Sequence, residues 1–156
     1  MAAPRLKYAE SIVIARPPPV LYNMVSDVAR MGEWSPVCVA CWWDEGAGPA
    51  VGAWLTGRNV DSGETWETRS VVVAADPGRE FAFQCGGHEA RWGYTFTLVD
   101  GGTRVTEAWE FRPAGIAFFE ERFGAGAPAE IAERSRDAHA GIPVTLAALK
   151  QVAESG

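Results

Sequence analysis

Between Val37 and Arg112 the chain keeps a single habit: apolar side chains fall at every second position or in short runs, and each run ends at residues that favour turns. The habit lasts for about seventy-five residues and constrains the fold more than any other feature. It predicts strands near 37–43, 53–59, 65–75, 80–85, 90–99 and 103–112. The breaks read Gly46-Ala47-Gly48-Pro49, Asp61-Ser62-Gly63, Asp76-Pro77-Gly78, Gly86-Gly87 and Asp100-Gly101-Gly102. Connections this short cannot hold the crossover helix that parallel strands need, so the expected sheet is an antiparallel meander.

Different patterns flank the meander. Ala9 to Ala15, with β-branched Ile12, Val13 and Ile14, reads as one more strand. Pro17-Pro18-Pro19 then suits the first turn of a helix, where a missing N–H costs nothing, and Val20, Leu21, Met24, Val25 and Val28 follow at helical spacing. Met31-Gly32-Glu33-Trp34 interrupts it, and a second short helix is expected to end near Ser35-Pro36. After the last strand, residues 113–128 are rich in Gly and Ala around an apolar patch from Ile116 to Phe123. A long helix is predicted over 129–154, kinked at Pro143, where a backbone donor is lost. The order of strand, two helices, six strands and one long helix defines an α+β fold. The only element long enough to cover one sheet face is the C-terminal helix, and a twisted sheet wrapped around one helix leaves room for a cavity.

With 156 residues the chain fits a single domain. A net charge of -6 argues against nucleic acid or an anionic membrane surface as partner, and no window approaches the roughly 20 apolar residues of a membrane span. The first residues lack the apolar stretch of a signal peptide, and three cysteines make an odd count; the expected location is the cytoplasm, with free thiols.

Alternation also assigns faces. In 91–98 it turns Trp92, Tyr94, Phe96 and Leu98 towards the helix. In the next strand it turns Val105, Glu107, Trp109 and Phe111 the same way. Phe81 and Phe83 join them; in the strand from Thr65 the better inward set is Trp66, Thr68, Ser70 and Val72, although apolar Val71 and Val73 leave both facings open, and Arg69 and Arg91 fall outside. Any one of these aromatics serves as core filling, but the set holds more bulk than one helix face needs. Trp66, Tyr94 and Trp109 add polar tips that can orient a ligand.

Several segments carry a family resemblance. They are Ser26-Asp27-Val28-Ala29-Arg30-Met31-Gly32-Glu33-Trp34-Ser35-Pro36, Gly52-Ala53, Gly57-Arg58-Asn59, the run from Ala75 to Phe83, Gly102-Thr103-Arg104-Val105-Thr106-Glu107, and Thr145 to Lys150. Together they resemble the SRPBCC (START-like) superfamily, in its polyketide cyclase/dehydrase and lipid-transport branch. The resemblance runs from about residue 10 to residue 153 and implies the helix-grip fold, with residues 1–156 as one START-like domain. Pro143 and the Gly/Ala-rich stretch 113–128 depart from the family pattern.

The function expected from both readings is binding of a small hydrophobic molecule (a lipid, polyketide-like aromatic or isoprenoid), lined by the inward aromatics together with Asn59, Phe119, Ile142 and Leu146. The alternative is a cyclase/aromatase-type enzyme in which Glu107 or His139 moves protons. Glu107 points inward and burial would raise its pKa; its bland role is a carboxylate hydrogen-bonded to a Trp or Arg. His139 lies on the long helix, where a surface position is more common than a cavity one. A third class, an interaction module, would use Trp42 and Trp43. Cys38-x2-Cys41 with Cys85-x2-His88 has zinc-like spacing, but strict alternation points Cys38 and Cys41 to opposite faces, so no metal is expected, and no cofactor is implied. A homodimer remains open. Residues 113–128 are expected to act as a lid, since their glycines make apolar side chains costly to hold rigid.

Overall fold

Every segment with alternating residues becomes a strand. The computed structural model describes residues 6–86 and 89–156. Its strands are β1 (Lys7–Ile14), β2 (Cys38–Trp43), β3 (Trp54–Asp61), β4 (Glu64–Asp76), β5 (Glu80–Cys85), β6 (Ala90–Val99) and β7 (Gly102–Phe111). They form one seven-stranded sheet in the order β1-β7-β6-β5-β4-β3-β2, antiparallel at each step. The meander therefore ends at β7, and the first strand of the chain pairs with the last.

Three α-helices complete the fold: α1 (Pro18–Ser26), α2 (Pro113–Phe123) and α3 (Ala127–Ser155). Each has proline at its first or second position, where the ring presets the helical φ and the lost N–H would be unsatisfied anyway. The expected second short helix is a 3-10 helix over Val28–Glu33. Residues 113–123 are a regular helix, not the loose connection their composition implied, and Gly124, at φ 55, ends it.

The 29 residues of α3 run through Pro143 as one continuous helix. Pro143 is solvent-exposed while Ile142 and Leu146 beside it are buried, at 0% and 2% exposure. On the outer side of a helix that wraps a core, hydrogen bonds already lengthen, so a missing one costs least there. Ile131, Ala138, Ile142, Leu146 and Leu149 form the apolar stripe that covers the sheet, mainly at β1 and β7. α1 covers β5 and β6 at the opposite end, with Tyr22 edge-on to Phe81 and Phe96.

Residues opposite one another on neighbouring strands share a face. The rungs Ile12↔Val105, Glu10↔Glu107, Tyr8↔Trp109, Tyr94↔Glu107, Trp92↔Trp109, Phe83↔Trp92 and Asn59↔Trp66 thus trace one concave face across the sheet. This matches the expected inward set, with two corrections of depth. Leu98 is 73% exposed, because β6 runs beyond its last rung with β5 (Glu80↔Thr95) and leaves Leu98 without a neighbour on that side. Trp66 is 41% exposed, because β4 extends past its last rung with β5 (Ser70↔Cys85) and leaves Trp66 without a neighbour on that side.

One glycine is required where β7 begins. Gly102 has φ 143, and a Cβ there would stand 2.0 Å from the Ile14 carbonyl oxygen. The close approach lets the end of β1 seat against β7. Gly102→Ala is therefore expected to cost about 3 kcal/mol or more in urea unfolding; a loss below about 1 kcal/mol would show that the end of β1 yields freely.

Candidate functional site

At the centre of the concave face lies a buried acid–phenol pair. The Asp100-Gly101 turn sets Val99 opposite Gly102, and the ladder carried back from it sets Tyr94 opposite Glu107. The Tyr94 hydroxyl donates to Glu107 Oε2 at 3.0 Å. Glu107 is only 3% exposed, with Val105 and Trp109 on either side of it along β7, both buried. Its Oε1 is buried and has no hydrogen-bond partner. Burial pushes the Glu107 carboxyl up to about 8, the Tyr94 hydrogen bond opposing only part of that rise. Burial first, then the adjacent Glu107, raise Tyr94 well above the usual phenol range. The partner expected for Glu107 was a Trp or Arg; the register of the hairpin was the signal that would have named Tyr94.

His139 sits half-buried on α3, its ring 4.1 Å from that of Tyr8 on β1. Its Nδ1 lies 2.7 Å from the Ser135 carbonyl oxygen, which can only accept, so Nδ1 carries the proton. In the neutral ring Nε2 is then an acceptor, and it is buried without a partner. Tyr8 faces Trp109 one same-face rung from Glu107, so the two unpartnered atoms belong to neighbouring parts of the interface between sheet and helix. Sequence reading missed Tyr8, whose position beside α3 depends on β1 pairing with β7.

From this centre an aromatic chain leads to α2. Ring centroids are 6.5 Å apart for Trp92–Trp109, 6.2 Å for Trp109–Phe111, 5.0 Å for Phe111–Phe119 and 5.2 Å for Phe119–Phe123. Gly115 brings α2 against the β5–β6 connection so closely that a Cβ would meet the Glu89 carbonyl oxygen at 2.4 Å. At this end of the sheet the concave face is incompletely covered: Phe83, Cys85 and Trp92 are half-buried and Trp66 is exposed. Phe81, Phe96 and Ile142 lie fully in the core. Asn59 is a buried strand residue, not a turn residue; its amide donates to the Trp66 carbonyl at 3.4 Å and to Thr68 Oγ1 at 3.3 Å, long bonds that tie the hairpin together. Asp61, at the tip of this hairpin, acts on Asp137 of α3, whose carboxyl is raised by burial, then by Glu133 and by Asp61. The tip of the β3–β4 hairpin thus lies within electrostatic reach of α3.

The convex face carries its own feature. Trp42, Trp43, Asp44, Trp54 and Arg69 line a surface cleft of about 690 Å³, in which the Arg69 guanidinium lies 4.7 Å over the Trp54 ring. Arg69 and Arg91 are on this outer face as expected, paired with Asp44 and Glu80.

The cysteine geometry corrects the alternation argument. A register shift between Cys38 and Ala40 inserts one residue into the ladder, so Cys38 (opposite Asn59) and Cys41 (opposite Gly57) come to the same face, both buried. The Cys38 thiol donates to the Ala40 carbonyl at 3.3 Å; the neighbouring Cys41 thiol holds Cys38 below the usual thiol range and is itself raised. His88 lies outside the described residues. Among the described residues no three His, Cys, Asp or Glu side chains are grouped to hold a metal, and no helix is long and apolar enough to cross a membrane.

A curved antiparallel sheet gripping one long helix, with aromatic residues left accessible on the gripped face, defines a helix-grip protein. Within that class, the chain belongs to the polyketide cyclase / dehydrase and lipid transport family, whose pattern matches residues 5–154. Among solved structures it is similar to the Polyketide_cyc-like protein Cgl2372 from Corynebacterium glutamicum, at 47% identity and a TM-score of 0.70 over 96% of this chain and 91% of that one. The di-domain ARO/CYC StfQ from the steffimycin biosynthetic pathway shares the fold at 15% identity and a TM-score of 0.71, over 96% of this chain and 51% of that one. Ara h 8.0201 shares it at 18% identity and a TM-score of 0.67, over 96% and 98%. No curated protein sequence matches.

The raised carboxyl has a consequence for stability. Below about pH 4.5, the ordinary value, folded and unfolded chains both hold the Glu107 proton. As pH rises towards 8 the unfolded chain loses it and the folded chain keeps it, so stability falls, by up to about 4–5 kcal/mol across the window. Glu107→Gln removes this slope: urea unfolding should find the variant gaining roughly 1–3 kcal/mol on wild type between pH 5 and pH 8. An identical pH dependence in both proteins would mean that Glu107 ionises as freely folded as unfolded.

Proposed function

We propose that the protein binds a small hydrophobic molecule between the concave face and α3, a lipid, polyketide-like aromatic or isoprenoid. One observation carries this reading: Phe83 and Trp92, opposite one another on β5 and β6, and Trp66 on the β3–β4 hairpin are apolar side chains on the helix-covered face, yet none of them is fully buried. Apolar surface grouped at a concave opening is stabilised by an apolar occupant. The relatives agree in kind, since the family description names polyketide cyclases and lipid transport and StfQ is an aromatase/cyclase. Phe119, Ile142 and Leu146 would form the inner wall behind the opening, and Asn59 its hairpin side.

The probe N-phenyl-1-naphthylamine tests this. It should bind with enhanced fluorescence, and Trp92→Leu or Phe83→Leu should weaken it by about tenfold, while Trp42→Leu on the convex face leaves it unchanged. The opposite pattern would move the site to the convex cleft.

A second reading, an enzyme of the cyclase or aromatase type, draws on Glu107, whose raised pKa suits proton transfer near neutral pH. His139 serves this reading less well, because Tyr8 covers one ring face and Ser135 holds Nδ1.

The entrance of this site is α2. Glycines at 124 and 126 join it to α3, and Phe118, Phe119 and Phe123 are its apolar contacts with the core. A helix that opens to admit ligand should exchange its amide hydrogens faster than Trp92 to Leu98 of β6, and slow when the probe binds. Protection equal to that of β6 without ligand would assign entry to the hairpin side instead.

A further inference from the structure

We infer that the ligand carries a carbonyl oxygen, which accepts a hydrogen bond from the Oε1 carboxyl hydrogen of Glu107. The inference rests on the proposed binding of a hydrophobic molecule at the concave face and adds the chemical class of that molecule. A plain hydrocarbon needs only apolar walls. This face instead places, at its centre, a carboxyl 3% exposed, with one oxygen committed to Tyr94 and the other buried and unpartnered. Leaving a buried polar atom unpaired costs free energy that an apolar side chain of similar size avoids. A ligand oxygen that completes the pair removes the cost on binding and discriminates strongly against analogues that lack it.

The direction of the bond follows from the partners. Tyr94 donates to Oε2, so a protonated Glu107 carries its hydrogen on Oε1 and offers a donor. With its pKa pushed to about 8, chiefly by burial, the group is the neutral acid at pH 7. Its free oxygen then calls for an acceptor, which a ketone, quinone or aryl ester supplies and a hydroxyl-free terpene does not. The Trp92 and Trp109 rings beside it, 6.5 Å apart and tilted by 53° to one another, offer aromatic surface to the carrier of that carbonyl. The titratable groups around Glu107 are Tyr94 from β6, Glu10 across the rung on β1, and His139 from α3 at the Tyr8 rung. In the neutral ring the unpartnered Nε2 of His139 is an acceptor and does not compete for the ligand's carbonyl.

Two probes of matched size, 2-acetylnaphthalene and 2-ethylnaphthalene, differ in the carbonyl alone. By calorimetry at about pH 6 wild type should prefer the ketone by about tenfold, a preference falling to within about twofold near pH 9.5 as Glu107 ionises. Glu107→Gln keeps a donor that does not titrate, so its preference should persist at both pH values, whereas Glu107→Leu should lose it. The infrared carbonyl band of the bound, carbon-13-labelled ketone should shift to lower frequency in wild type, a readout needing no variant to fold. Equal affinity for the two probes, or an unshifted band, overturns the carbonyl assignment and leaves hydrophobic binding intact. Failure of both probes to bind at millimolar concentration overturns both.

Discussion

The pairing of β1 with β7 is the constraint on which the rest of this structure depends. Eight consecutive rungs, from Lys7↔Glu110 to Ile14↔Thr103, join segments about ninety-five residues apart at either end of the sheet-forming part of the chain. They place Tyr8 and Ile12 beside Trp109 and Val105 and so build the floor on which α3 lies. The helix end is then fastened to the same strand. Lys150 donates to the Val13 carbonyl, the Ala15 amide to Glu154, and the Arg16 guanidinium to the Ala153 carbonyl. First strand, last strand and last helix thus close on one another, and Phe83, Trp92 and Trp66, farther along the concave face, stay less than fully buried.

Glu107 sits on that closure, and it is an expensive residue to place there. The chain could seat leucine at the position and gain burial; instead it holds a carboxyl whose Oε1 has no partner and whose proton is kept against water. Local departures from good packing concentrate where a protein does something with them. The same holds for Phe83, Trp92 and Trp66, apolar side chains that the fold leaves in contact with solvent on its covered face. An unpaired polar atom deep inside and unpaired apolar surface at the rim are complementary demands, and an amphipathic aromatic molecule meets both.

The convex face solves its problem within the chain. There the tryptophans are covered by guanidinium groups, Arg58 over Trp42 and Arg69 over Trp54, and Arg69 is anchored by Asp44. Among the described residues no guanidinium lies over Trp92 or Phe83, whereas Arg134 lies over Phe119. The partial exposure of Trp92 and Phe83 on the covered face is informative for that reason.

Much of this was legible in the residues alone. Alternation with turn chemistry determined the strands, their order in the meander and the face of the side chains wherever the ladder is unbroken, because a period of two leaves only one register that buries the apolar set. Glu107 and its aromatic neighbours were found on those grounds. What alternation does not contain is position along the sheet. Leu98 and Trp66 have the right face and the wrong depth, because their exposure depends on where a neighbouring strand stops. It also assumes an unbroken ladder, so the inserted residue between Cys38 and Ala40 reversed the face expected for one cysteine. Pairing β1 with β7, seating His139 on Tyr8 and leaving one oxygen of Glu107 unpartnered were decided by tertiary structure only, because each joins segments far apart in the chain, whose proximity no local pattern encodes.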